Sequence, residues 1–207
     1  MARKPAPGRT RPAADYPRVE VASRGELRHW LATNHATHRG AWVVAFKKHV
    51  PRTHVDAAAI AEEALCVGWI DSLPRALDAD RSMLLVTPRK PTSAWSRVNK
   101  LRVERLVTAG LMTDAGLAVV AEAKASGRWN ALDAIEELVL PEDLVGRFAS
   151  APAIARRNFE AFPRSVKRGI LEWISTAKQP ETRQRRVEQT VVLATDNQRA
   201  NQWKPTR

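Results

Sequence analysis

Hydrophobic and polar positions first change period near residue 23. In "VASRGELRHWLATNHATHRG", Ser23 and Glu26 have the spacing of a capping box, and Leu27, Trp30 and Leu31 form one apolar stripe. A helix is predicted from there to about Asn34, before Gly40. "AWVVAFKKH" then alternates as a strand. Trp42, Val44 and Phe46 take one face, Val43 and Ala45 the other, so both faces should be covered. Asp56 can cap a second helix over "AAAIAEEALCV", and Gly68 is its natural stop. "WIDSLPRAL" and "RSMLLVTP" read as a hairpin turning near Ala79, with Pro74 demanding an edge position or a bulge.

Beyond Pro91 the pattern is helical. Ser93 is the predicted cap of a helix over 94–109 that Gly110 ends. Thr113 starts another over 114–126, ended by Gly127. A linker with Trp129 precedes segments at about 141–150, 152–162, 164–177 and 180–197. In 164–177, Val166, Ile170, Trp173, Ile174 and Ala177 share a face, with Arg164, Arg168 and Glu172 opposite. The predicted fold is α+β: a small antiparallel sheet of about three strands with flanking helices, then an all-helical C-terminal half. The expected divisions are a disordered basic arm over 1–18, an α+β region over 19–110, a helical region over 111–198 and a tail over 199–207.

Composition changes this picture in three places. Residues 1–18 hold five Lys/Arg, one Asp and four Pro, which leaves them little to bury. Seven Trp against one Tyr point to core anchors or stacking platforms. The net charge of +12 makes a phosphate-bearing or acidic partner plausible, nucleic acid included. Cys66 is the only cysteine, which excludes an internal disulfide and a zinc site built on several thiolates. No apolar run is long enough to insert in a membrane and no signal peptide is recognisable, so the expected compartment is the cytoplasm.

The candidate chemistry gathers at "TPRKPTSAWSRVNK", Thr87 to Lys100. If the hairpin turns at Ala79, paired positions sum to about 158. Asp71 then faces Thr87, and Trp69 faces Arg89. Unpaired N–H groups of the following helix, with Arg89, Lys90 and Arg97, would form an anion-binding corner. Asp71 supplies a counter-charge, Ser93, Ser96 and Asn99 supply hydrogen-bonding groups, and Trp69 and Trp95 supply walls. The structural alternative is that Asp71 clips Arg89 to the helix and Trp95 is a core staple. Weaker candidates are His35 with His38 for a metal, Cys66 with Glu62 or Glu63 for nucleophilic chemistry, and the basic clusters at 164–168 and 182–189 for a phosphate backbone. No cofactor motif is present.

The chain resembles the YdeI/OmpD-associated, or bacteriocin-protection, family. The motifs are "EEALCVGWIDS" at 62–72, "TPRKPTSAWSRVNK" at 87–100, "GLMTDAG" at 110–116 and "LEWISTAKQPETRQRRVEQTV" at 171–191. Ser72 stands where the family has Gly. "FKK" at 46–48 also fits, which adds Lys47 to the candidate ligand-binding residues, and "HVPRTH" then replaces a Gly- or Ser-rich turn. The resemblance implies a small bacterial protein tied to tolerance of antimicrobial peptides or envelope stress, with no settled activity. Three functions compete: a binding module for a phosphate- or carboxylate-bearing ligand, a non-specific nucleic-acid binder, and an enzyme using Asp71 as base and Arg89 as electrostatic stabiliser.

Overall fold

The computed structural model describes residues 15–50 and 54–202. The chain divides after Trp129 into two compact units. The first is α+β: β1 (Arg18–Val21), α1 (Arg24–Asn34), β2 (Ala41–Phe46), α2 (Ala57–Cys66), β3 (Trp69–Ala76), β4 (Arg81–Pro88), α3 (Arg97–Thr108) and α4 (Asp114–Ala125). The second holds α5 (Asp133–Glu136), α6 (Glu142–Ala149), α7 (Ala153–Ala161), α8 (Arg164–Ser175) and α9 (Pro180–Thr195).

Local signals act where they were read. Ser23, Asp56 and Thr113 cap α1, α2 and α4, accepting from the N–H of Glu26, Ala59 and Gly116. Gly68, Gly110 and Gly127 follow α2, α3 and α4 at positive φ, the conformation that ends a helix at least strain. The strand β2 is buried on both faces. Val43 and Ala45 join Leu27, Leu31, Ile60, Ala64 and Val86 in one core, and Trp42 and Val44 join Met83 and Leu85 in another. Full burial of each such aliphatic side chain stabilises by about 1.5–3 kcal/mol.

The α+β class, a small sheet with flanking helices followed by a helical C-terminal half, is as expected, and three details refine it. The sheet has four strands in the order β1-β2-β4-β3, because Arg18–Val21 pairs parallel to β2. Tyr16 packs on the second sheet face, and the Pro17 carbonyl accepts from the Trp42 N–H at 2.8 Å. Ordered chain therefore precedes residue 19, while positions 1–14 of the expected arm lie outside the described residues. Four residues alternating with charges carry no signal strong enough to separate a strand from a loop. The helix α3 begins at Arg97, capped by Ser96, and not at Ala94 after Ser93. Trp95 inserts in the core from an extended segment and holds the chain out of helical geometry until the next residue. α5 was not foreseen, since it is one turn long and lacks a side-chain cap.

The helix α4, expected in the second region, packs in the first unit. The Thr113 hydroxyl and N–H both donate to the Cys66 carbonyl, at 2.8 and 3.0 Å. Gly116 lets the two backbones meet: a Cβ there would lie 2.2 Å from the Cys66 carbonyl oxygen. Gly116→Ala is expected to destabilise by about 1–3 kcal/mol, the cost of overpacking against backbone that cannot rotate away. Gly146, inside α6, has open space around its Cβ direction. Gly146→Ala is expected to stabilise by about 0.5–1 kcal/mol through helix propensity. Urea melts of both variants check the pair, and equal effects would mean that the α2–α4 approach is looser than this.

The helical unit closes on Leu144, Phe148, Phe159, Phe162, Ile170, Leu171, Ile174, Val187 and Val191. Val166 and Trp173, on the stripe read in α8, pack at its margin. On the opposite face Arg168 pairs with Glu172 and with Glu136, at 3.1 and 3.2 Å. Among the described residues no helix is long and apolar enough to cross a membrane.

Candidate functional site

The start of β3 and the end of β4 do meet, one position away from the expected register. Trp69 pairs with Pro88, Ile70 with Thr87 and Asp71 with Val86. The other end of the hairpin runs one step differently, with Pro74 opposite Leu84 and Ala76 opposite Ser82. A bulge between Asp71 and Pro74 absorbs the difference, as Pro74 requires: its missing N–H cannot serve a regular ladder. The Arg89 N–H still closes the corner, donating to the Gly68 carbonyl at 3.0 Å.

From Arg89 the chain crosses to α3 over Trp95. The indole is 2 % exposed and packs with Leu65, Val103, Leu106 and Val120. Its ring centroid lies 4.9 Å from that of Trp129. The Arg89 guanidinium lies over Trp95, 3.8 Å from the ring centroid. One of its terminal nitrogens donates to the Ala94 carbonyl at 2.5 Å, and its Nε is buried without a hydrogen-bond partner. Burial pulls the Arg89 pKa down to about 10, and the charge of Asp71 pulls the other way. Arginine remains a cation at neutral pH, so the lowering marks desolvation that the surroundings only partly offset. Among the described residues, Asp71 does not come within ion-pair distance of Arg89 and acts on it through space.

The structure does not assemble every candidate here. Trp69 is 2 % exposed in the core below the sheet, 6.4 Å edge-on from Trp30, and walls nothing at the corner. Lys47 sits at the other end of the sheet, where its ammonium donates to the carbonyls of Asp78 and Ala79 at 2.7 and 2.9 Å. That is the hairpin turn, which strand direction sets farthest from Arg89. Lys90 is exposed beside Arg89. The Ser96 hydroxyl accepts from the Asn99 N–H as the α3 cap, and the Asn99 side-chain oxygen accepts from Arg102 at 2.9 Å. The weaker candidates dissolve into structure. The His35 and His38 rings bond the carbonyls of Leu31 and Asn34. Burial, then the charge of Glu63, pushes the Cys66 thiol up to about 11, so it is not an available thiolate at neutral pH.

Sequence reading named Glu63 only as a possible base beside Cys66, and the structure buries it as a charged group in the core. Glu63 is 1 % exposed, on the otherwise apolar side of α2. Its two oxygens accept from Arg28 Nε and Nη2 at 2.8 Å each and from Arg24 Nε at 2.9 Å. Arg24 also reaches Glu62 at 3.0 Å, and Arg105 of α3 reaches Glu62 at 3.3 Å. The available signal was Arg24 and Arg28 four apart on α1, facing a helix whose Glu pair interrupts an alanine-rich run.

Residues 137–197 match the family described as Bacteriocin-protection, YdeI or OmpD-Associated. Residues 19–119 match a domain of unknown function. The motif at 171–191 thus falls within the family match, while those at 62–72, 87–100 and 110–116 fall in the other domain. No curated protein and no solved structure matches the chain.

Proposed function

We propose, starting from a chain whose helical unit matches the YdeI or OmpD-associated family, that its first unit binds a small anion at Arg89. The ligand class is a phosphate- or carboxylate-bearing molecule, and the role is binding without turnover. One observation carries this reading: a half-buried guanidinium, stacked on Trp95, whose Nε lacks a hydrogen-bond partner among the described residues. Such a group gains from an oxyanion that accepts its outward N–H donors. Lys90 adds positive charge at the rim. On this reading the binding serves bacteriocin protection, the role named in the description of the family that residues 137–197 match, and takes place in the cytoplasm.

Catalysis in this unit is the less supported reading. Glu63, the buried carboxylate, is already neutralised by two arginines, and Cys66 stays protonated. The basic C-terminal clusters are likewise partly engaged. Arg168 and Arg183 face carboxylates, and Arg186 lies over Trp173 while donating to that residue's carbonyl. A phosphate backbone would compete with those partners.

The test is thermal unfolding of the full chain in phosphate, in acetate and in chloride at equal ionic strength. Stabilisation by phosphate or acetate should follow RT ln(1 + [L]/Kd), about 1.4 kcal/mol at ten times Kd. Arg89→Gln should abolish the response. Arg89→Lys should retain only part of it, because an ammonium lacks the planar fork. An identical response in wild type and Arg89→Gln would remove Arg89 as the binding group.

A further inference from the structure

The strand β1 closes one side of the sheet, and its outer edge has no neighbouring strand among the described residues. Register and one bond fix which of its groups point outward. Arg18 pairs with Trp42, and the Trp42 N–H donates to the Pro17 carbonyl. Alternate residues of a strand turn their backbone groups to the same side. Val19 and Val21 therefore serve β2, while Arg18 and Glu20 present N–H and C=O to the open side. The free edge ends at Ala22, whose N–H donates to the Glu26 carboxylate at 2.9 Å. Beside the edge, between β1 and α1, lies a groove of about 630 Å³ lined by Val19, Val21, His29 and Trp30 among others. The side chains of Arg18 and Glu20 are exposed on the other face of the sheet. Among the described residues no ion pair engages Arg18, and Glu20 meets Arg81, a guanidinium that Asp78 also holds.

We propose that a second copy of this chain pairs antiparallel along β1, joining the two sheets across a two-fold axis. Hydrogen bonding requires outward-facing residues of one copy to lie opposite outward-facing residues of the other. The registers that meet this condition differ in charge. Arg18 opposite Arg18 brings like charges together. Glu20 opposite Glu20 does the same, and sets Arg18 against Ala22, whose N–H is already taken. The register between them puts Arg18 of each copy opposite Glu20 of the other. Both backbone bonds of each pair then form, and unlike charges meet twice. The same register sets Val19 against Val19 as a close pair on the α1 side, so each enters the groove beneath the other copy's α1, toward Trp30. Charged residues on an edge strand commonly keep other strands away. Here their order, basic then acidic two residues later, is complementary to itself. The inference does not depend on the anion site at Arg89.

Sedimentation velocity of the full chain over a range of concentrations tests it, with melting curves to show that each variant folds. The wild type should dimerise. Arg18→Glu sets acid against acid, and Glu20→Arg sets base against base. Each alone should weaken self-association roughly tenfold to a hundredfold, two pairs turning from attraction to repulsion. Both positions are exposed, and Arg81 keeps Asp78 when Glu20 changes, so the fold should hold. Mixed in equal amounts, the two single variants should form a heterodimer, because each then meets its complement. The double variant, Arg18→Glu with Glu20→Arg, should dimerise like the wild type. Arg89→Gln should leave the dimer unchanged, which separates this surface from the anion site. A wild type that stays monomeric up to millimolar concentration, a dimer that either single variant leaves intact, or a mixture without heterodimer overturns the proposal.

Discussion

Trp95→Ala is expected to destabilise the first unit by about 3–5 kcal/mol, in the upper range for removing a fully buried aromatic side chain. Several contacts disappear together. The indole joins Leu65 of α2, Val103 and Leu106 of α3 and Val120 of α4 in one cluster. It also carries the Arg89 guanidinium on one side and Trp129 within 4.9 Å. Because residues 89–96 lack regular structure, this one anchor sets where α3 begins and how Arg89 is held. The variant should therefore lose its phosphate response along with its stability. Trp95→Phe should recover much of the packing and less of the phosphate response, since a smaller ring supports the guanidinium less well. Urea unfolding, with and without phosphate, measures both. A cost below about 1 kcal/mol, the ordinary effect of a point substitution, would mean that the loop is held by its backbone and not by the indole.

The second large effect is expected from Arg24→Ala combined with Arg28→Ala, at about 3–5 kcal/mol. Removing both partners leaves the Glu63 carboxylate buried and uncompensated, which costs more than the pair contributed in water. Each single variant should cost much less, because the remaining guanidinium still reaches Glu63. The sum of the two single effects should fall short of the double, and that excess is the coupling a thermodynamic cycle reads. Glu63→Leu in the double background should restore most of the loss, since an apolar side chain of similar size needs no partner. The arginine side chains are 42 % and 47 % exposed. If water replaces them freely, the double variant will show a small, additive loss, and that outcome would rule out the coupled network.

Glu63 also shows where sequence pattern stops informing. Its burial depends on which side of α2 meets α1, a relation between elements far apart in the chain. "EE" in an alanine-rich helix reads equally well as a solvated edge. The same limit applies at the corner. Pairing arithmetic brought Asp71 and Arg89 to one end of the sheet, because strand direction and turn position suffice for that. It missed the register by one because a bulge adds a residue to one strand only, and Pro74 announces a bulge without its exact place. Lys47 joined the candidates through a motif alone, and strand direction carries it to the hairpin turn.

What the sequence determined by itself is local. Ser23, Asp56 and Thr113 satisfy N–H groups three residues away, and Gly68, Gly110 and Gly127 adopt positive φ whatever surrounds them. Helix and strand periods likewise follow from which side chains must leave water. The tertiary structure decided what depends on distant partners. β1 is a strand because β2 offers a parallel edge to Arg18–Val21. Ser96 caps α3, and not Ser93, because burying Trp95 keeps the chain extended up to that point. Arg89 is left with an unpaired Nε because its guanidinium lies over an indole, and the charge of Asp71 reaches it only through space. Each of these outcomes balances burial against local preference, and burial is a property of the assembled chain.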